Sequence, residues 1–215
     1  MSDHVVAADS KMPDDRGADD TRVIGSSKPG HYGAEASGLT LAETKLAGAW
    51  NVQGDAAKAP FVEALRGFLD ARLPVAPNTA IRSGELTAFW LAPKSWLIVA
   101  SSADALVDFE ARRDSLNAAG GALFDVSASR VAWTLAGKHA AAVLAKSCPL
   151  DFHPRSFAEG ACAQSMLGHV NALFYRPAPS AFIVLAARSY ARDVWRSLCL
   201  SAAPYGYDVL EAHAF

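Results

Sequence analysis

The chain has 215 residues, 51% of them apolar and 20% charged, with a formal net charge of −2. That composition gives room for one large domain or two small lobes, and excludes a fibrous chain or a general basic field for nucleic acid. No apolar run reaches membrane-spanning length, no basic-then-apolar leader opens the chain, and three irregularly spaced cysteines fit a reducing cytoplasm rather than a disulfide framework.

Residues 1–38 carry seven acids, four bases and one aromatic, Tyr32. A segment of net charge −3 with so little apolar surface predicts a disordered acidic tail, able to order only against a partner. Ala49-Trp50-Asn51-Val52-Gln53-Gly54 then reads as a short strand ending at glycine. Phe61, Leu65, Phe68 and Leu69 follow at i, i+4, i+7 and i+8, the apolar stripe of a helix. Leu86–Leu91 and Trp96–Ala100 read as strands around the turn Ala92-Pro93-Lys94-Ser95. Ser102 is placed to cap a helix over 104–116, and 122–126 reads as a closing strand.

The same order then recurs. Ala132-Trp133-Thr134-Leu135-Ala136-Gly137 matches the first strand, and Ala140, Val143 and Leu144 open a second short helix. Ala172–Tyr175, the turn Pro177-Ala178-Pro179-Ser180, and Phe182–Leu185 match the first hairpin. Ser189 is placed to cap a helix with Ala191, Val194, Trp195 and Leu198 on one face. Gly54 and Gly137 lie 83 residues apart, Trp96 and Phe182 86, a near-constant offset that marks an internal duplication. The expected fold is α+β, with two ferredoxin-like lobes over 39–127 and 128–215 behind the tail of 1–38. The stretch 149–164 has no counterpart in the first lobe and reads as a compact loop.

Four constellations could carry chemistry. Cys148, His153 and Cys162 are metal-ligand types in one region, but their spacing is not that of a zinc finger or ribbon and no fourth ligand stands out. The two cysteines read better as small buried apolar residues, and His153, before Pro154, as a local turn residue. Asp125, Ser127 and His139 or His153 contain the residue types of a hydrolase triad without a nucleophile-elbow sequence, and the Asp125 segment reads as a strand end. Arg130, Arg176 and Arg188 each lie beside a strand, suited to a neighbour's carboxylate or to a loop carbonyl. Trp50, Trp90, Trp96, Trp133 and Trp195 read mainly as core, and Phe174, Tyr175, Tyr205 and Tyr207 as candidates for a subunit interface. No dinucleotide or Walker sequence occurs, so a redox role requires another chain to hold the cofactor.

Several blocks resemble one family. Asp125-Val126-Ser127-Ala128-Ser129-Arg130, Leu135-Ala136-Gly137-Lys138-His139-Ala140 and the run from Leu144 to Pro154, which contains Cys148-Pro149-Leu150-Asp151, are similar to sarcosine oxidase gamma subunits. So are Phe157 through Gly168, Arg188-Ser189-Tyr190-Ala191 and the hairpin Leu91 to Leu97. The resemblance spans about residues 40–210. It implies the aminomethyltransferase folate-binding fold and a place in a heterotetramer that oxidatively demethylates sarcosine to glycine, passing the one-carbon unit to tetrahydrofolate. It further implies partners of alpha, beta and delta type that hold FAD, FMN, NAD, tetrahydrofolate and zinc, with no catalytic, cofactor-binding or metal residue on this chain. No acid matches the folate-site carboxylate of the aminomethyltransferases, and the Lys-Gly-Cys-Tyr block of the related iron–sulfur-repair folate proteins is missing. An autonomous folate-binding or aminomethyltransferase-like protein is the alternative that the shared fold leaves open.

Overall fold

A computed structural model of the chain describes residues 27–35, 37–66, 73–103 and 108–215. The predicted tail up to residue 26, and the helix positions Phe68 and Leu69, lie outside the described residues. Among the described residues the strands form two sheets. The first contains β3 (Gly48–Gln53), β4 (Ala80–Ser83), β5 (Leu86–Ala92), β6 (Ser95–Ala100) and β7 (Ala122–Asp125), in the order β4-β5-β6-β3-β7. Helices α1 (Ala59–Arg66) and α2 (Phe109–Ala118) cover its outer face. Without the edge strand β4 this is the strand order of a ferredoxin-like unit, and neighbouring strands run antiparallel.

The second sheet repeats that plan with one change. It is built from β8 (Arg130–Gly137), β9 (Cys162–Leu167), β10 (Val170–Ala178), β11 (Ala181–Ala187) and β12 (Tyr207–Val209), with α3 (Ala140–Ala145) and α4 (Ala191–Ala202) outside. β9 flanks β10 as β4 flanks β5, so residues 162–164, expected in a loop without counterpart, are the start of a duplicated edge strand. The change is β2 (Leu39–Lys45), which lies between β8 and β12. It runs antiparallel to β8 and parallel to β12, so a strand from the start of the first predicted lobe completes the second sheet. β1 (Gly30–Tyr32) pairs with β12, and β13 (His213–Ala214) with β2.

Each central strand is buried on both faces. Along β6, Trp96, Ile98 and Ala100 face the helices while Leu97 and Val99 face the other sheet. Along β11, Phe182, Val184 and Ala186 face the helices and Ile183 and Leu185 the other sheet. The two sheets therefore pack face to face between two helical layers, which explains apolar runs without polar alternation. Positions matched by the duplication meet at this interface: the rings of Phe89 and Tyr175 sit edge to face, 5.1 Å apart.

Local chemistry explains where the elements end. Gly137 closes β8 at φ +124, and a Cβ there would stand 2.2 Å from the carbonyl oxygen of Gly38. At Gly54, which closes β3, a Cβ would fall 2.0 Å from the Phe61 ring. The described helices α2 and α4 have Asp108 and Tyr190 at their N-caps. α2 begins at Phe109 with Asp108 in the left-handed region, and the predicted first turn over 104–107 lies outside the described residues. A 3-10 turn over Arg188–Tyr190 leads into α4, placing Ser189 inside the turn. The end of the predicted tail is also built into the fold. Ser27 is buried and its Oγ accepts from the Trp195 indole at 2.8 Å, while Tyr32 stacks on Tyr207 at 5.7 Å. A buried Trp N–H needs an acceptor, and residues 27–35 supply one that composition alone does not reveal.

Candidate functional site

One end of the inter-sheet interface stays open. On the inner face of the second sheet, alternation along β8 and β10 brings Arg130 and Asn171 to the side that also presents Leu173. Register sets Ala187 of β11 opposite Arg130 and Met166 of β9 opposite Asn171. The first sheet supplies a wall through Leu91 and Leu97. The Gln164 amide donates to the Leu91 carbonyl at 2.8 Å and closes one side. The result is a cleft of about 530 Å³ lined by no acidic residue. Arg130 is its one cation. The Nε–H of Arg130 is buried and has no hydrogen-bond partner among the described residues.

The other two arginines hold backbone. Arg188 donates from Nε to the Ala128 carbonyl at 2.8 Å and from a terminal nitrogen to the Arg130 carbonyl at 3.4 Å. Arg176 is 5% exposed, lies over the Phe182 ring at 5.2 Å, and donates to the carbonyls of Phe157 (2.7 Å) and Pro179. It anchors the 149–161 loop, whose Phe152 and Phe157 pack on Phe182. Of the two roles read for these arginines, pairing with loop carbonyls is the one realised at Arg176 and Arg188.

The other sequence candidates are not brought together. Cys148 is buried in the helical face of the second lobe, and Cys162 on the opposite face of its sheet. Burial pushes the Cys162 thiol up to about 12, and its Sγ donates to the Thr79 carbonyl at 3.2 Å, so it stays protonated. His153 is exposed, and its Nδ1 accepts the Arg155 amide at 3.2 Å in a turn that Asp151 also ties to Ser156. The described residues contain no cluster of three metal-ligand side chains. Asp125 accepts the Ser127 backbone amide at 2.8 Å, while the Ser127 hydroxyl bridges the Ala49 amide and carbonyl. His139 instead stacks on Tyr205 at 4.6 Å, so these residues form no triad. Trp50, Trp96, Trp133 and Trp195 are core, as read. Phe174, Tyr175 and Tyr207 are also buried within the chain, which corrects their reading as interface residues. The cleft itself left only a faint sequence signal, an arginine at a strand start. Its other walls come from five separate strands.

No helix among the described residues is long and apolar enough to cross a membrane. Residues 53–204 match the model of the sarcosine oxidase, gamma subunit family. The chain is 31% identical over 157 residues to the sarcosine oxidase subunit gamma of an Arthrobacter species, a stretch covering 71% of this chain and 74% of that one. It is 34% identical over 101 residues to the sarcosine oxidase subunit gamma of Corynebacterium sp. strain U-96, covering 47% of this chain and about half (48%) of that relative. Among solved structures it resembles a chain of the heterotetrameric sarcosine oxidase from Corynebacterium sp. U-96 in complex with pyrrole 2-carboxylate. That match has a TM-score of 0.68 and 25% identity, covering 80% of this chain and 88% of the other. Aminomethyltransferase T of the glycine cleavage system from Bartonella henselae shares the fold, with a TM-score of 0.53 and 17% identity, over 82% of this chain and 48% of that one. The α+β architecture, the duplicated lobes and the residue blocks converge with these likenesses: the chain belongs to the sarcosine oxidase gamma subunit family.

Proposed function

We propose that this chain is a non-catalytic gamma subunit of a heterotetrameric sarcosine oxidase. In this reading it assembles in the cytoplasm with alpha-, beta- and delta-type partners, which hold FAD, FMN, NAD, tetrahydrofolate and zinc. The complex oxidatively demethylates sarcosine to glycine and passes the one-carbon unit to tetrahydrofolate. The chain divides into an N-terminal stretch (1–38) and two lobes (39–127 and 128–215), with β2 lent to the second sheet.

The match over residues 53–204 is the observation that carries this reading. The side chains best suited to chemistry also support it, because they are spent on architecture: Arg176 and Arg188 bind carbonyls, Ser127 binds Ala49, and the Cys162 thiol is buried and protonated. Within the complex such a chain acts through its surfaces, ordering partners that carry the reacting groups.

Co-expression with the partner chains tests this directly. The expected result is one co-eluting complex with sarcosine-dependent oxidase activity, and a chain that alone shows no flavin absorbance and no sarcosine turnover. An equally stable and active complex assembled without this chain contradicts the proposal. Tight tetrahydrofolate binding by the isolated chain favours an autonomous folate protein instead.

A further inference from the structure

The cleft at the end of the inter-sheet interface has a use that the subunit reading does not assign. Its volume of about 530 Å³ falls in the range of small-molecule sites, which form preferentially where two domains meet. Leu97, Leu173 and Leu185 give it an apolar body. Arg130 gives it one positive charge, and none of the ion pairs among the described residues includes that arginine.

The backbone of Arg130 is fixed on both sides. Strand pairing aligns it with Ala187, and Arg188 donates to its carbonyl. Its Nε–H is enclosed by protein, without an acceptor among the described residues, so the part of the side chain that a ligand in the cleft can reach is the rest of the half-buried guanidinium. Buried donors are normally paired, because an unmet one loses its hydration without compensation. A guanidinium edge next to an apolar wall is matched by a carboxylate on an apolar body: the anion takes the fork and the body covers the leucines.

We propose that this cleft binds a small monocarboxylate whose carboxylate pairs with Arg130 and whose apolar body packs on Leu97, Leu173 and Leu185. The Asn171 amide stands at the mouth, suited to a second polar contact on the ligand. An acidic side chain of a partner subunit offers the same carboxylate, and the test separates the two sources.

The probes are benzoate and 3-methylbutanoate, with benzamide as the neutral isostere, added to the full-length chain and followed by saturation-transfer NMR and thermal shift. Benzoate is expected to bind at least about tenfold more tightly than benzamide, because only the anion makes a charge-assisted pair. Arg130→Gln is expected to weaken benzoate at least about tenfold while leaving the melting temperature of the ligand-free protein unchanged or higher, since the unmet N–H is removed. Arg130→Lys keeps part of the binding. Asn171→Phe fills the mouth with Arg130 intact, and is expected to block benzoate even if the arginine variants fail to fold. Equal binding of benzoate and benzamide overturns the proposal, as does native affinity in both Arg130→Gln and Asn171→Phe. Loss of subunit assembly in Arg130→Gln, with no small carboxylate bound by the native chain, places a partner's acid in the cleft and overturns it too. None of these binding readouts depends on oxidase activity, so failure here leaves the subunit assignment standing.

Discussion

Arg176 is the residue on which the second lobe depends most visibly. Its guanidinium joins the 149–161 loop to the turn before β11 through the carbonyls of Phe157 and Pro179, while its own Nε has no partner among the described residues. Arg176→Met keeps an unbranched apolar stem but removes the guanidinium that lies over Phe182, and leaves the two carbonyls without their donors. The expected loss is about 2–3 kcal/mol in urea denaturation, from the cost of unmet buried carbonyls. At the surface, His31 donates from Nδ1 to Asp208 and from Nε2 to the Ala34 carbonyl, both at 2.8 Å, an arrangement that needs both ring protons. The bond to Asp208, then that to Ala34, raises its pKa above the ordinary 6.5, while Ser37 first and His31 second lower that of Asp208. A raised histidine stabilises the fold fully below its unfolded value, and that contribution fades as pH rises through the raised one. The carboxylate contributes above its ordinary 3.8, and its share is lost as pH falls through the lowered value. The pair therefore holds β1 to β12 best in mildly acidic solution. NMR titration of the His31 ring is expected to show an upshifted midpoint that Asp208→Asn returns toward 6.5. An unchanged midpoint in that variant removes Asp208 as the cause.

Among the elements, β8 shows how a short sequence signal becomes a structural requirement. The repeated Ala-Trp-x-x-x-Gly places Ala49 and Ala132 against the opposite sheet, and Trp50 and Trp133 against the helices. At the glycine end, β8 turns away so closely past Gly38 that no side chain fits. Gly137→Ala combines an unfavourable φ with a clash against backbone, and is expected to cost at least about 2 kcal/mol. Chemical denaturation measures this. A loss below half of that means the β2–β8 edge relaxes without resistance. The glycine was legible in the sequence as a strand end. Its necessity was not, because the atom it would strike belongs to the residue before β2, 99 positions earlier.

Across the whole molecule, the inner faces of both sheets form one buried cluster that includes Ala49, Phe89, Leu97, Leu173, Tyr175 and Leu185. With β2 also crossing from the first lobe into the second sheet, the lobes are expected to unfold together, as a single calorimetric transition. Phe89→Ala removes a fully buried ring at the centre of this contact, where Tyr175 and Phe215 both meet it edge on. The expected loss is about 3–5 kcal/mol, with the single transition retained at lower temperature. Two separated transitions in the native chain contradict the shared core.

The amino-acid sequence alone determined the α+β class, the duplication, the two hairpins, most of the core aromatics and the family. These follow from local periodicity, turn residues and residue blocks, which need no knowledge of distant contacts. Only the tertiary structure decided that β2 belongs to the second sheet, that 27–35 is held by Trp195 and Tyr207, that β9 duplicates β4, and that Arg130 faces a cleft. Each of these depends on which strands become neighbours. Sheet pairing joins residues far apart in the chain, and a strand buried on both faces carries no alternation to reveal its partners.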